Sequence, residues 1–332
     1  MIIKYIPEDF IVQEVLVTDQ EMQYRGQDYL LMELNKKGYS SFDAMRIVKT
    51  FFGVREVESA GLKDSDGVTS QKISVSNDQP DIPDRIEAFH AEYTGKEKYI
   101  HLSFLGYVSQ PLVPARLEGN AFRLRLRGME NETAELWMKR KIYSLTFPNY
   151  YDKQRFGMPG YPKVSHLIGE ALYEKDYRKA YDYLKISGTH EASLPFDGDY
   201  EGFFANMEER IRGFFFSSLY SREFNQKLGD LLEQSGPVTV VEDEGISFRM
   251  PKEKRTMAAL FAEDNPEEQL GSFRVMTLEQ KVPRKLLATT QVQFLGCRED
   301  EYHPGTSVLT VSFFLPMGSY ATMAMKQLDL FL

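Results

Sequence analysis

Two aspartates two residues apart, Asp64 and Asp66, stand in "ESAGLKDSDGVTSQ" (58–71), directly behind Lys63 and between Gly61 and Gly67. Three kinds of structure use such a group. One is a hairpin turn, where Asp and Gly serve only loop geometry. A second is the Asp-x-Asp loop of a Mg²⁺-dependent phosphatase, whose first aspartate attacks phosphorus while the metal bridges. That chemistry needs more acidic ligands downstream, and "DGDYEG" (197–202) does not have their spacing. The third is a single working carboxylate at Asp64. Lys63 or another cation would keep it ionised, and the two glycines would let a substrate approach the backbone.

A second chemical cluster is "NYYDKQRFG" (149–157). An amide there can read a base edge, an aromatic ring can stack on it, and Arg155 can contact phosphate. Equally, Tyr150 and Phe156 can be core while Arg155 pairs with a carboxylate. "FRLRLR" (122–127) alternates, so Arg123, Arg125 and Arg127 share one strand face, either merely solvated or set against phosphates. No phosphate-binding glycine loop and no Ser–His–Asp arrangement occurs. A single cysteine, Cys297, excludes an intrachain disulfide and a cysteine-based zinc site. The five histidines have no ligand spacing.

The elements that must position these residues are mixed. "MIIKYI", "DFIVQEVLV", "DYLLMEL", "SQKISVS" and "YIHLSFLGYV" read as strands. "SSFDAMRIVKTFFG" reads as a helix, with Ser40 or Ser41 as its cap and Gly53 as its end. "ENETAELWMKRKIYSL" reads as another helix. From His166 to about Gln234 the pattern is mostly helical, broken near 188–202. Two short strands follow, "VTVVE" and "ISFRM", and the chain ends in a strand and a helix.

The 332 residues, 42% of them hydrophobic, suit one or two domains with a sizeable core. The net charge of −9 argues against a polyanion partner taken alone. Between Arg116 and Arg155, however, nine basic residues face five acidic ones, so a local basic face is possible. No basic leader with an apolar run opens the sequence, and no stretch reaches the roughly 18 apolar residues of a membrane helix. The expected location is the cytoplasm.

Five stretches, in order along the chain, resemble the TruD family of tRNA pseudouridine synthases: "PEDFIVQE" (7–14), "SAGLKDSDGVTSQ" (59–71), "LEGNAFRLRLR" (117–127), "PNYYDKQRFG" (148–157) and "FFLPMGSYATMAMKQL" (313–328). A weaker one is "SREFNQKL" (221–228). The resemblance implies the α+β pseudouridine synthase fold, a large mixed β-sheet with an inserted α+β TruD-specific domain. Residues 1–164 and 286–332 would form the discontinuous catalytic domain and 165–285 the insertion.

The resemblance further implies isomerisation of uridine to pseudouridine in RNA, tRNA above all, with uridine 13 as the family's target and no cofactor or metal. Asp64 takes the catalytic position. Lys4 falls where the family has a basic active-site residue, and a Lys4–Asp64 pair would lower the carboxyl pKa. Glu8 and Phe10 line the pocket, Lys63 precedes the catalytic residue, Asn149 contacts the base and Tyr151 stacks on it. Arg123, Arg125, Arg127, Gln154 and Arg155 would meet RNA. A monomer is the expected state. Where the family has basic residues after the aspartate, this chain has Ser65 and Asp66. Where it has Phe-Gly, this chain has Tyr151-Asp152, which gives up the φ freedom of glycine. A catalytically weak RNA-binding paralogue is the first alternative and the Mg²⁺-dependent phosphatase the second.

Overall fold

The computed structural model describes residues 1–17, 28–63, 65–262 and 284–331. Its contacts divide the chain into two compact units, Met1–Ser144 with Thr290–Gly318, and Leu145–Thr289 with Ser319–Leu332.

In the first unit, alternating apolar residues build the strands β1 (Phe10–Leu16), β2 (Tyr29–Lys37), β3 (Val57–Ser59), β4 (Val68–Ser76), β5 (Tyr99–Val108) and β6 (Leu117–Met129). The strands β7 (Ile142–Pro148) and β10 (Leu287–Glu299) cross the division between the units, and β11 (Ser307–Pro316) lies in the first. The strands form one sheet in the order β5-β2-β4-β1-β6-β11-β10-β7, with β3 also on β4. β1 and β4 are parallel, while β6 is antiparallel to both β1 and β11. The sheet is thus mixed.

One edge of β4 is shared. β1 pairs it at Val68–Ser70, and β3 pairs it from Ile73 to Val75. The link 60–67 therefore emerges where one partner strand gives way to the other. Helix α1 (Ser41–Phe52) has the expected caps: Ser40 Oγ accepts from Asp43 N at 3.0 Å, and Gly53 closes the end at φ 68°. Its Ala44, Val48 and Phe52 pack with Phe89 of α2 (Ile86–Tyr93) on Leu30, Met32, Ile73 and Val75.

Two local expectations fail here. "MIIKYI" is not a strand; only Ile2 bridges Arg127, and a 3₁₀ turn, Pro7–Asp9, precedes β1. Lys4 interrupts the extended run with φ 57°. The helix expected through "KIYSL" stops at Arg140, so α3 is Asn131–Arg140. Lys141 reverses the chain at φ 60°, and Tyr143, Leu145 and Phe147 are then buried on alternate positions of β7.

The second unit is mainly helical: α4 (Ser165–Tyr173), α5 (Tyr177–Ile186), α6 (Tyr200–Ala205), α7 (Glu209–Ser235), α8 (Lys254–Ala262) and α9 (Ala321–Leu330). Ile168, Leu172, Leu184, Phe204 and Phe215 form its helical core. The expected pair of short strands is the hairpin β8 (Val238–Asp243) and β9 (Ile246–Pro251), turned through Glu244 at φ 48° and Gly245 at φ 82°. Among the described residues no helix is long and apolar enough to cross a membrane.

The first unit also holds a buried charge cluster. Arg127 is fully buried, and its guanidinium donates to Asp9 at 2.6 and 2.8 Å and to Asp300 at 2.8 Å. This corrects the expectation that Arg127 meets RNA phosphate. Burial pushes the Asp300 carboxyl up. Donors from Tyr302 N, Gly128 N, His303 and Arg127 outweigh it and hold the group well below the usual carboxylate range. Arg127→Met would strand two buried carboxylates, so we expect a loss of about 3–5 kcal/mol in urea unfolding; a loss below about 1 kcal/mol would show that the cluster is not a structural anchor. Because the Asp300 pKa is depressed in the fold, its contribution is present above its ordinary value of 3.8 and disappears as pH falls. Asp300→Asn should therefore flatten the acid limb of the stability curve.

Candidate active site

The link that carries the two aspartates is held from below by buried polar groups of the first unit. Glu14, from β1, and Lys63 form an ion pair of 2.8 Å, with both side chains nearly inaccessible. The other Glu14 oxygen accepts from Lys72 N at 2.9 Å, at the point where β4 changes partner. Ser41 Oγ accepts from Lys63 N at 2.8 Å and donates to Gln71 Oε1 at 2.6 Å, while Gln71 Nε2 donates to Gly61 O at 3.3 Å. Lys36, fully buried on β2, donates to Tyr39 O at 2.9 Å and Lys63 O at 3.2 Å.

Side chains from β2, α1 and β4 thus fix the main chain at Gly61 and Lys63, and Glu14 from β1 fixes the Lys63 side chain. Asp64 itself lies outside the described residues. The Lys63 ammonium is engaged by Glu14, so what Lys63 supplies to the loop is a tether. The packing of the protein itself calls for both glycines. A Cβ on Gly67 would meet Phe10 O at 2.6 Å, and one on Gly61 would crowd Leu117, Lys63 Nζ and Glu14 Oε1 at 3.0–3.2 Å.

Lys4 comes to the same loop. Its Nζ lies 4.1 Å from the centre of the Phe10 ring and 3.1 Å from Asp66 Oδ2. Asp66 is more than half exposed, yet its charge has a cation beside it. The left-handed φ of Lys4 is costly for a residue with a Cβ, by about 1–2 kcal/mol. The neighbouring Tyr5 packs against Tyr302 and His303, at ring distances of 5.2 and 4.9 Å, and Arg127 lies 4.6 Å under Tyr302. The buried Arg127 cluster therefore supports the turn that presents Lys4. Glu8 pairs with Lys37 of β2, which holds its carboxyl below the usual range. Arg123 is exposed and Arg125 half-buried on β6.

The second unit assembles the "NYYDKQRFG" residues. Asn149 is buried; its N donates to Leu286 O at 2.8 Å and its Nδ2 to Lys285 O at 3.0 Å. Arg284 Nε donates to Asn149 O at 2.9 Å, and its Nη2 to Asn149 Oδ1 and Tyr150 O, each at 3.2 Å. Its guanidinium carbon sits 3.7 Å from the centre of the Tyr151 ring. Asn225 of α7 grips the main chain of Tyr151 from N to O, with both bonds at 2.8 Å. Phe224 and Tyr320 set their edges towards the same ring at 5.6 and 6.4 Å.

Arg155 is half-buried. It donates to Ser221 Oγ at 3.3 Å and to Ser217 Oγ. Gln154 is exposed. Asp152 has φ −78°, so the position does not need the freedom of glycine. Its buried carboxylate caps Lys153 N at 2.8 Å and accepts from Thr322 Oγ1 of α9 at 2.6 Å.

Sequence reasoning missed Glu14, Lys36, Asn225, Arg284 and Tyr320 as site residues. The stretches "PEDFIVQE", "SREFNQKL" and "FFLPMGSYATMAMKQL" contained three of them, but nothing in those stretches said which side chain turns towards a site. Among the described residues no three His, Cys, Asp or Glu side chains come together as a metal site. Glu14→Ala leaves the buried Lys63 ammonium without a partner, and we expect it to lose about 3–5 kcal/mol in chemical denaturation. The double variant Glu14→Leu/Lys63→Met, which removes both charges, should lose clearly less. Equal losses would mean that the pair is not the anchor of this loop.

Known proteins resemble this one along most of its length. A sequence model of the family TruD, described as tRNA pseudouridine synthase D, matches residues 1–193. A Pyrobaculum islandicum protein named "Probable tRNA pseudouridine synthase D" is 26% identical over 98% of this chain and 91% of its own length. The tRNA pseudouridine synthase D of Geotalea daltonii is 30% identical over 55% of this chain and 43% of its own. In fold, the crystal structure of the TruD protein of Methanosarcina mazei matches with a TM-score of 0.60 at 22% identity, covering 98% of this chain and 92% of that one. The family model spans more than half of the chain, and by that measure the chain belongs to the TruD family of pseudouridine synthases.

Proposed function

We propose that this protein isomerises uridine to pseudouridine in tRNA, at uridine 13, with Asp64 as the catalytic carboxylate. One observation carries the reading: immediately before Asp64, Ser41, Gln71 and Lys36 bond the main chain of Gly61 and Lys63 and Glu14 pairs with the Lys63 ammonium, so buried polar groups hold the approach to that residue from several elements. Substrate and product are isomers. The N1–C1′ bond breaks, C5 bonds to C1′, C5 loses a proton and N1 gains one. Nothing is oxidised or reduced, so the balance calls for no redox cofactor.

The target base leaves its stack to reach the carboxylate. Tyr151 offsets that cost by stacking, worth about 1–3 kcal/mol per base, and Asn149 contacts a base edge. Lys4 keeps Asp64 ionised as well as pairing with Asp66. Glu8 and Phe10 border the pocket, with Phe10 seating the Lys4 ammonium. Arg123, Arg125, Gln154 and Arg155 meet the RNA backbone. Residues 165–285 form the inserted domain, and the protein works in the cytoplasm as a monomer.

Pseudouridine mapping in a deletion strain tests the assignment. Wild-type protein should restore the missing site and Asp64→Asn should not; restoration by Asp64→Asn would show that another group does the chemistry. Chelation by EDTA should leave the activity of purified protein unchanged, whereas a Mg²⁺-dependent phosphatase would be silenced. Lys4→Met should lower turnover by about tenfold or more, the equivalent of one pKa unit, with RNA affinity largely kept. Unchanged turnover would remove Lys4 from the site.

A further inference from the structure

One group in the second unit does three things at once, and the reading above gives it no role. Arg284 covers one face of the Tyr151 ring at 3.7 Å, fixes the Asn149 amide oxygen, and holds the carbonyls of Asn149 and Tyr150. The other end of the Asn149 amide is held by Lys285 O. Both polar ends of that side chain are therefore oriented by residues 284–285. Only a planar, forked cation can stack on a ring and bond to three oxygens beside it; an ammonium cannot do both.

We infer that Arg284 is a positioning residue for the target base: it sets the plane of Tyr151 and the direction of the Asn149 amide, so that an unstacked uracil lands on the Tyr151 ring opposite Arg284 with its edge on Asn149. The inference rests on the reading of Tyr151 as the stacking aromatic. Because the group acts on the flipped base and not on the RNA backbone, its loss should appear in the rate of the chemical step rather than in RNA affinity. Ground-state binding is dominated by phosphate contacts elsewhere.

The test is a double-mutant cycle of Arg284→Ala and Tyr151→Leu, with Arg284→Lys as the conservative variant. The probe is an unmodified tRNA transcript bearing uridine 13, and each protein is first checked for its melting temperature. Arg284→Ala should lower the single-turnover rate about tenfold or more, an effect of the size of a desolvated cation–π contact, at nearly unchanged RNA affinity. Arg284→Lys should stay impaired. Ethylguanidinium added to Arg284→Ala should recover part of the rate, and ethylammonium should not. In the Tyr151→Leu background the same substitution should matter much less.

Three results would overturn the inference: additive losses, full activity of Arg284→Lys, or a rate loss that guanidinium leaves untouched and that merely follows a fall in melting temperature. If wild-type protein makes no pseudouridine, the proposed function fails on its own. The cycle is then read in the fluorescence of a transcript carrying 2-aminopurine at position 13, which reports the unstacked base: coupling between Arg284 and Tyr151 in that signal supports the inference and additivity overturns it.

Discussion

The buried ion pair between Glu14 and Lys63 is the constraint from which the approach to Asp64 in the first unit follows. Two charges taken out of water need excellent geometry and complete hydrogen bonding to break even. Here Lys72 N takes the second carboxylate oxygen, where β4 passes from β1 to β3 and its own strand bonding is interrupted. Gly61 has no Cβ because one would press on the pair. Ser41, at the start of α1, and Gln71, on β4, then fix the remaining main-chain groups. The sheet gap, Gly61 and the side chains of Ser41 and Gln71 gather around that contact and fix the chain as far as Lys63.

The second unit uses a different device. A short irregular stretch, Asn149 to Tyr151, has no ladder of its own, so its backbone groups must be satisfied from outside. Asn225 takes one residue from N to O, and residues 284–286 take another. Side chains placed this way are held by packing and hydrogen bonds together, which leaves few rotamers free. Asp152 belongs to the same economy of contacts: it caps the turn that follows and bonds Thr322 on the last helix.

Much of this was legible in the sequence, and the failures have physical causes. Helix α1 was readable because a cap and a C-terminal glycine are local signals. The alternation in "FRLRLR" gave two faces correctly but not depth: Arg123 is exposed while Arg127 is fully buried, because its partners Asp9 and Asp300 come from distant segments. The glycines beside the aspartates stood out in the sequence, but that protein atoms crowd both of them could not be read there, because Phe10, Glu14 and Leu117 come from distant segments. Asp66 stands where the family has a basic residue, and the sequence did not show that Lys4, folded back at a left-handed turn, pairs with it. Arg284 carried no local signal at all. Its meaning exists only once residues 149–151 and 284–286 lie side by side.

The central claim is that this scaffold presents one working carboxylate, Asp64, to a uridine. Joining C5 to C1′ must expel the hydrogen on C5, so a tRNA transcript carrying tritium at uridine C5 reports the reaction directly. The account predicts that wild-type protein releases tritium to water from a single uridine, while Asp64→Asn binds the same transcript with similar affinity and releases none. Release by Asp64→Asn at the wild-type rate would contradict it.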